Sequence, residues 1–576
     1  MPNWGLYISI DQLGYPAASI RDVVQMAKTI NRDAGLIVLG TYNLLLSLAS
    51  LRPELTGEAS DRLTAQQALL RNSISEKRLR ELKDKLGDAH LVRRPLFHRA
   101  QLLTMIKLVA RYGHTTAGNR LDQRDDFDQL AELGLLVNSL WNFPLEDPDP
   151  GDAVAPHLAP SIEIENPPSI AESVVGSSRM LGPHLAELRD SHRFATHVER
   201  AFLFETGLNF VELMDLVFAL WSFYSSISVE ELVSNQGRGR YNPFMPENIV
   251  SAKNIKGLLN LVSVPFGEVP GIAGDPEGRN FLIDFTEFRQ RPVWKFADNN
   301  YLCIDPAFLQ EKLSSGVYWT IMNALDPQTR EEFSRIWGRL FELRLFEILE
   351  SFSLPDTVYR SPRYTDTLDE AFDVVVDFGD RLIVIQAKGS FVRVDAKYSG
   401  VSQQCFDGID ERFGDGPGKA LGQMRVNLLA CFGLDRRRPV AEFRGRRFRE
   451  ILPLIVYQEP ILNFGPVTRH YVRELEASLS GALYQLDTVV RPVTFMHIED
   501  FYLIAQHVRD GSTSLIEVLH RKLADDPGHR QSFRAFWTET LRRSLGLEPK
   551  GDEVLTAQFG QYASESLERF RRGDYL

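Results

Sequence analysis

Between residues 371 and 390 the chain reads AFDVVVDFGDRLIVIQAKGS, two apolar runs separated by Gly379-Asp380, with the second ending on Gln386, Ala387 and Lys388. Gly-Asp between β-rich runs is the composition of a two-residue hairpin turn. Counting outward from it pairs Phe378 with Arg381, Asp377 with Leu382 and Asp373 with Gln386. Side chains alternate along a strand, so Lys388 shares the face of Gln386, while Ala387 points the other way and leaves its main-chain carbonyl near the same edge. An aspartate carboxylate, a glutamine oxygen and a main-chain carbonyl form a hard oxygen set suited to Mg²⁺ or Mn²⁺. The Lys388 ammonium beside them is placed to orient an attacking water and to stabilise charge developing on a phosphate, as phosphodiester hydrolysis requires.

These residues in this order resemble the PD-(D/E)xK nuclease superfamily, and within it the Mrr-like restriction endonucleases whose motif reads QxK. The resemblance covers roughly residues 330–510. It implies an α/β nuclease core, a mixed sheet flanked by helices, with Asp373, Gln386 and Lys388 as catalytic residues. Asp373, Gln386 and the Ala387 carbonyl would hold Mg²⁺ or Mn²⁺. A glutamate on the helix before the hairpin completes the family's site. In GRLFELRLFEIL this is Glu342, four residues after Gly338, chosen over Glu347. A further helix with polar residues facing the metal is matched by Lys419 and Gln423 in GKALGQM; ordinary surface positions are the other reading of that pair. The chain departs from the pattern in two places. Gln386 is neutral where the family usually has an acid, which weakens the pull on a metal, and Phe372 rather than proline precedes Asp373.

The function implied is a Mg-dependent endodeoxyribonuclease acting in prokaryotic restriction or antiphage defence. The other readings are a repair or recombination nuclease, and a nucleic-acid-binding scaffold on an inactive nuclease fold. DNA is the implied partner, with RNA left open, as are an activator acting through residues 1–325 and a homo-oligomer. An isolated Gln-Ala-Lys at a strand end can also be a charged sheet edge that blocks aggregation, yet LIVIQAK is too apolar to be a fully exposed edge.

A formal charge of −12 gives no overall attraction to phosphate, so nucleic-acid binding needs a local basic patch. DRRRPVAEFRGRRFRE supplies one, with Arg436, Arg437, Arg438, Arg444, Arg446, Arg447 and Arg449. Arginines at this density suit contact with a phosphate backbone; a solvated loop or a site for an acidic protein is the alternative. GDGPGKA is not a phosphate loop, because it lacks the four-residue spacer and the following Ser or Thr. His192 and His197 do not make a zinc motif.

At 576 residues the chain is long enough for three or four domains at roughly 150 residues each. Helical periodicity dominates to about residue 145, as in RAQLLTMIKLVARYG. A Pro- and Asp-rich stretch at 146–170 reads as a linker or surface loop. Residues 171–325 read as a second mainly helical block with short strands near its end, 326–510 as the nuclease core and 511–576 as a helical extension. The stretch AFLFETGLNFVELMDLVFALWSFYSSI is apolar nearly all round, as a helix or helix pair buried on several sides would be. Asp326-Pro327 is a helix start. Three cysteines without CxxC spacing support neither a disulfide framework nor a cysteine zinc site. The N-terminus lacks the pattern of a signal peptide and the most apolar run, 36–51, is broken by Gly40, Thr41 and Asn43, so a cytoplasmic protein with no membrane partner is expected.

Overall fold

The computed structural model describes residues 8–56, 75–86, 96–115, 124–141, 164, 169–191, 193–228, 231–232, 239–244, 251–274, 280–352, 358–433, 438–443, 445–479, 488–527 and 531–575. The architecture is mixed α/β, with mixed sheets flanked by helices. Towards the N-terminus, α1 (Arg32–Thr56) packs against α2 (Arg99–Tyr112). The apolar stretch from 201 is a helix pair, α3 (Arg193–Thr206) and α4 (Phe210–Ser226), broken at Gly207, whose φ is +76°. Glycine adopts that conformation without a Cβ clash. Three short strands follow as one small sheet: β1 (Ser263–Pro265), β2 (Val293–Lys295) and β3 (Tyr301–Cys303).

The Asp-Pro start opens α5 (Pro327–Glu350). Asp326 accepts from the main-chain N–H groups of Gln328 at 3.0 Å and Thr329 at 3.2 Å, satisfying donors that a helix start leaves unpaired. The larger sheet has the order β4 (Val358–Arg360), β5 (Val374–Asp377), β6 (Arg381–Lys388), β7 (Glu450–Tyr457) and β8 (Val489–Val490), with β9 (Thr494–His497) also pairing with β7. β4, β5 and β6 are antiparallel neighbours, whereas β6 pairs with β7 in parallel. A parallel neighbour requires a long crossover. Here it contains α6 (Ser402–Phe413) and α7 (Ala420–Phe432); α8 (Gly465–Leu479) lies between β7 and β8, and α9 (Asp500–Arg509) follows β9.

Both faces of β6 are covered, which is why its sequence is an unbroken apolar run rather than an alternating one. Leu382 and Val384 pack with Leu421, Met424 and Leu428 of α7, while Ile383, Ile385 and Ala387 belong to the cluster containing Trp337, Phe341 and Leu345 of α5. That second cluster is continuous from Ile8 to Tyr562. Elements on either side of residues 145, 325 and 510 therefore share one core. Residues 146–163 of the expected linker lie outside the described residues, but Ile164 is buried and its carbonyl accepts from Arg99.

Two buried ion pairs join distant parts of the chain. Arg99 of α2 forks onto Asp305 through Nε at 3.1 Å and Nη2 at 2.9 Å, and Ser47 of α1 donates to the same carboxylate at 2.6 Å. Asp215 of α4 receives Arg569 and Tyr562 from the C-terminal helix α10 (Glu553–Arg572), the tyrosine at 2.8 Å, together with Tyr575 beyond it. Among the described residues one helical stretch, Arg32–Leu51, is long and apolar enough to cross a membrane, and 89% of that window is buried inside the fold.

Candidate active site

The hairpin has the register that its turn dictates. Phe378 donates to the Arg381 carbonyl at 2.9 Å, Asp377 lies opposite Leu382 and Val374 opposite Ile385, where the paired register ends; the Asp373 N–H donates to that same Ile385 carbonyl at 3.1 Å. Gly379 has φ +87°, the conformation that a first central glycine allows in a two-residue hairpin. Beyond the paired register the Asp373 side chain, rather than a paired strand residue, meets Gln386 and Ala387. Its carboxylate accepts the Ala387 N–H at 2.6 Å and the Gln386 side-chain amide. In a strand, the N–H and C=O of one residue point to the same neighbour. The Ala387 carbonyl is therefore directed to the side on which Asp373 sits.

Gln386 is 3% exposed, and its Oε1 is buried with no hydrogen-bond partner. A carboxylate only accepts, so the amide nitrogen must face Asp373 and the oxygen must face away from it. An orphaned buried acceptor costs about 1–3 kcal/mol unless something donates to it or coordinates it. Lys388 emerges on the same face and donates to Gln423 Oε1 and to the Gly418 carbonyl, the latter at 3.3 Å. Both partners lie at the start of α7, so the crossover helix fixes the ammonium.

The approach of α5 brings in Glu342. Gly389, immediately after Lys388, lies so close to Phe341 that a Cβ there would stand 2.6 Å from the Phe341 Cβ. Only glycine lets the end of β6 and α5 come this near. Burial, and then the negative charge of Glu342, push the Asp373 carboxyl up to about 7, against the Ala387 hydrogen bond and the charge of Lys388. Burial also raises Glu342, opposed by Arg339. The Lys388 ammonium is pushed down by burial while Asp373 and Glu342 pull it back up. The mutual perturbation marks Glu342, Asp373 and Lys388 as one electrostatic unit, the pattern typical of functional sites.

Glu347 is elsewhere. It accepts from Arg179, His184 at 3.1 Å and Arg344. Although burial works against it, those partners hold its carboxyl well below the usual range. Of the pair expected on α7, Gln423 reaches Lys388, whereas Lys419 occupies the N-cap position and its charge acts on Glu474 of α8.

Among the described residues, Arg438, Arg446 and Arg449 of the arginine stretch make their contacts away from Lys388. Arg446 clamps Asp377 and the Gly379 carbonyl, and the Arg449 N–H donates to the Asp380 carbonyl at 2.7 Å, all at the turn end of the hairpin. The eight residues of β6 separate that end from Lys388, roughly 25 Å at strand rise. Arg438 lies 3.8 Å from the centre of the Tyr364 ring and pairs with Asp366. Arg447 is exposed, and Arg436, Arg437 and Arg444 lie outside the described residues. His197 pairs with Glu332 at 2.7 Å, and His192 is likewise outside the described residues.

No family model, curated protein or solved structure matches this chain.

The donor set can be judged from the residues alone. Among the described residues no group of three His, Cys, Asp or Glu side chains is placed to hold a metal. The oxygens offered here are of mixed kind: the Asp373 and Glu342 carboxylates, the orphaned Gln386 Oε1 and the Ala387 carbonyl. Such a set fits a hard divalent cation that retains waters. The raised carboxyl of Asp373 is a fault that a cation would repair.

Two residues absent from the expected site stand beside it. Arg339 donates to Glu342 at 2.5 Å and to Glu370 at 3.2 Å. Arg339 lies three residues before Glu342 on one helix, a spacing at which side chains meet and which is visible in the sequence. Glu370 sits in the irregular segment before β5, where no periodicity predicts its direction.

Proposed function

We propose that this protein is a Mg²⁺- or Mn²⁺-dependent nuclease that hydrolyses DNA phosphodiester bonds on a PD-(D/E)xK-like core. The supporting observation is the convergence of Asp373, Gln386, Lys388 and Glu342, with the Gln386 Oε1 left unpartnered. The strand order, with an antiparallel hairpin followed by a parallel crossover, agrees with the core implied by the sequence resemblance.

Asp373, the Ala387 carbonyl and Glu342 would hold the cation, and Gln386, whose amide nitrogen faces Asp373, would add its Oε1 once that amide turns over. When bound, it supplies a Lewis acid for the phosphate and a more acidic water. The protein's own part is electrostatic and positional. Gln423 and the Gly418 carbonyl engage two of the three Lys388 donors. The third is left for a phosphate oxygen, where an ammonium in a poorly hydrated site favours the charge that develops during displacement. The Gln386 amide and the Ala387 N–H fix the Asp373 carboxylate before substrate arrives. A role in prokaryotic restriction or antiphage defence follows from the Mrr-like resemblance by analogy.

The decisive experiment is metal-dependent cleavage on single- and double-stranded DNA and RNA by the full chain, with Asp373→Ala and Lys388→Ala. We expect DNA cutting that needs Mg²⁺ or Mn²⁺ and falls by at least about 10²-fold in each variant. Equal cutting by the parent and both variants overturns the assignment. Metal-independent binding of DNA without cutting supports the scaffold reading instead.

A further inference from the structure

Arg339 is shared by two carboxylates of different kinds. One guanidinium nitrogen donates to Glu342, which belongs to the candidate metal site, and the other to Glu370, which lies on the segment leading into β5. Three carboxylates, Glu342, Glu370 and Asp373, act on one another here, and Arg339 and Lys388 are the cations that oppose them. With Arg412 of α6, whose charge also bears on Lys388, the count is three negative charges against three positive. A divalent cation among them leaves an excess of positive charge and makes a resident cation surplus. Lys388 is held from α7 by Gln423 and Gly418, whereas Arg339 is 40% exposed at its side chain and already grips a second carboxylate.

We infer that Arg339 is an internal counter-ion that competes with a divalent cation for Glu342, and that Glu370 is the carboxylate to which it withdraws when the cation binds. The inference rests on the metal-site reading above. The planar fork suits it to this exchange, since it can keep one hydrogen bond while releasing the other. Metal affinity is then set by residues outside the coordinating set. Arg339 lowers it by occupying Glu342, and Glu370 raises it by giving the guanidinium somewhere else to go.

The test is Mn²⁺ binding to the full chain without nucleic acid, read by calorimetry and by the loss of the free-ion electron paramagnetic resonance signal. Asp373→Asn marks binding at this site and should remove it. Arg339→Gln should tighten Mn²⁺ binding by about five- to tenfold, the range for a partly exposed ion pair. Arg339→Lys keeps the charge without the fork and should fall between Arg339→Gln and the parent. Glu370→Gln should weaken binding in the parent but change nothing when Arg339 is already Gln. If Glu370→Gln weakens binding equally in both backgrounds, Glu370 is itself a ligand and the withdrawal role is wrong. Unchanged or weaker binding in Arg339→Gln, with Asp373-dependent binding intact, overturns the inference while leaving the metal site standing. No Asp373-dependent binding in either the parent or Arg339→Gln removes the metal site itself, and this inference with it.

Discussion

At the scale of single residues, the candidate site is held in an electrostatically unfavourable state. Asp373 shows this most directly, because its carboxyl is raised to about 7 from an unfolded value near 4. Between those values the folded chain binds a proton that the unfolded chain has lost, so stability present at low pH is lost as pH rises through about 7. In the metal-free protein Asp373→Asn should remove that loss. The variant's stability relative to the parent should rise by about 2 kcal/mol between pH 5 and pH 8. Thermal unfolding in a chelating buffer checks this, and a gap in Tm that stays constant with pH would contradict it. Gln386 tells the same story without charge. Its nitrogen is engaged by Asp373, and its oxygen is buried with nothing to accept from.

At the scale of elements, the site exists because three elements converge on the end of β6: β5 through the hairpin, α5 across Gly389, and α7 through Gln423. Gly389 is the tightest of these contacts. Gly389→Ala places a methyl group against Phe341 and should push α5 away from the strand end, costing about 1–3 kcal/mol as an overpacked core does. Because Glu342 follows Phe341, the same change should lower cleavage and Mn²⁺ affinity more than a stability loss of that size explains elsewhere. Retention of parental metal affinity in a destabilised Gly389→Ala protein would separate α5 from the site. The hairpin was legible in the sequence from its turn out to Val374 and Ile385, because a two-residue turn and a period of two fix those pairs, whereas the step to Asp373 departs from that register, its N–H bonding again to Ile385. The distant location of Arg446 and Arg449 was not. A parallel crossover returns the chain to the start of β6 rather than its end, so residues that follow Lys388 in sequence come back on the opposite edge.

At the scale of the whole molecule, the helices before and after the sheet are built into one core rather than tethered. The C-terminal helix is fixed by a carboxylate that is fully buried in α4, with Asp215 receiving Arg569, Tyr562 and Tyr575. Asp215→Ala leaves a guanidinium and two hydroxyls without their acceptor, and loss of one member of a buried pair costs about 3–5 kcal/mol. We expect α10 to lose protection in hydrogen exchange and to become accessible to protease, with the sheet remaining ordered. Parental protection over residues 553–575 would show that apolar packing alone holds the helix. α5 packs on α3 and on the sheet, so the helix that carries Glu342 belongs to that common core.

The sequence by itself determined the parts of the site that lie within one hairpin. Asp373, Gln386 and Lys388 share a face because alternation and turn length are local rules. It also marked the start of α5 at Asp326-Pro327 and the helical character of the N-terminal half. Only the tertiary structure decided between Glu342 and Glu347, which are five positions apart on one helix and point to different neighbours, one to Asp373 and the other to Arg179 and His184. The same holds for Gln423 over Lys419, for Arg446 and Arg449 at the turn end of the hairpin, and for Arg339 and Glu370 beside the site. Each depends on which helix face meets the sheet and where a crossover returns. Those choices are set by burial of the whole apolar surface at once, and no local spacing carries them.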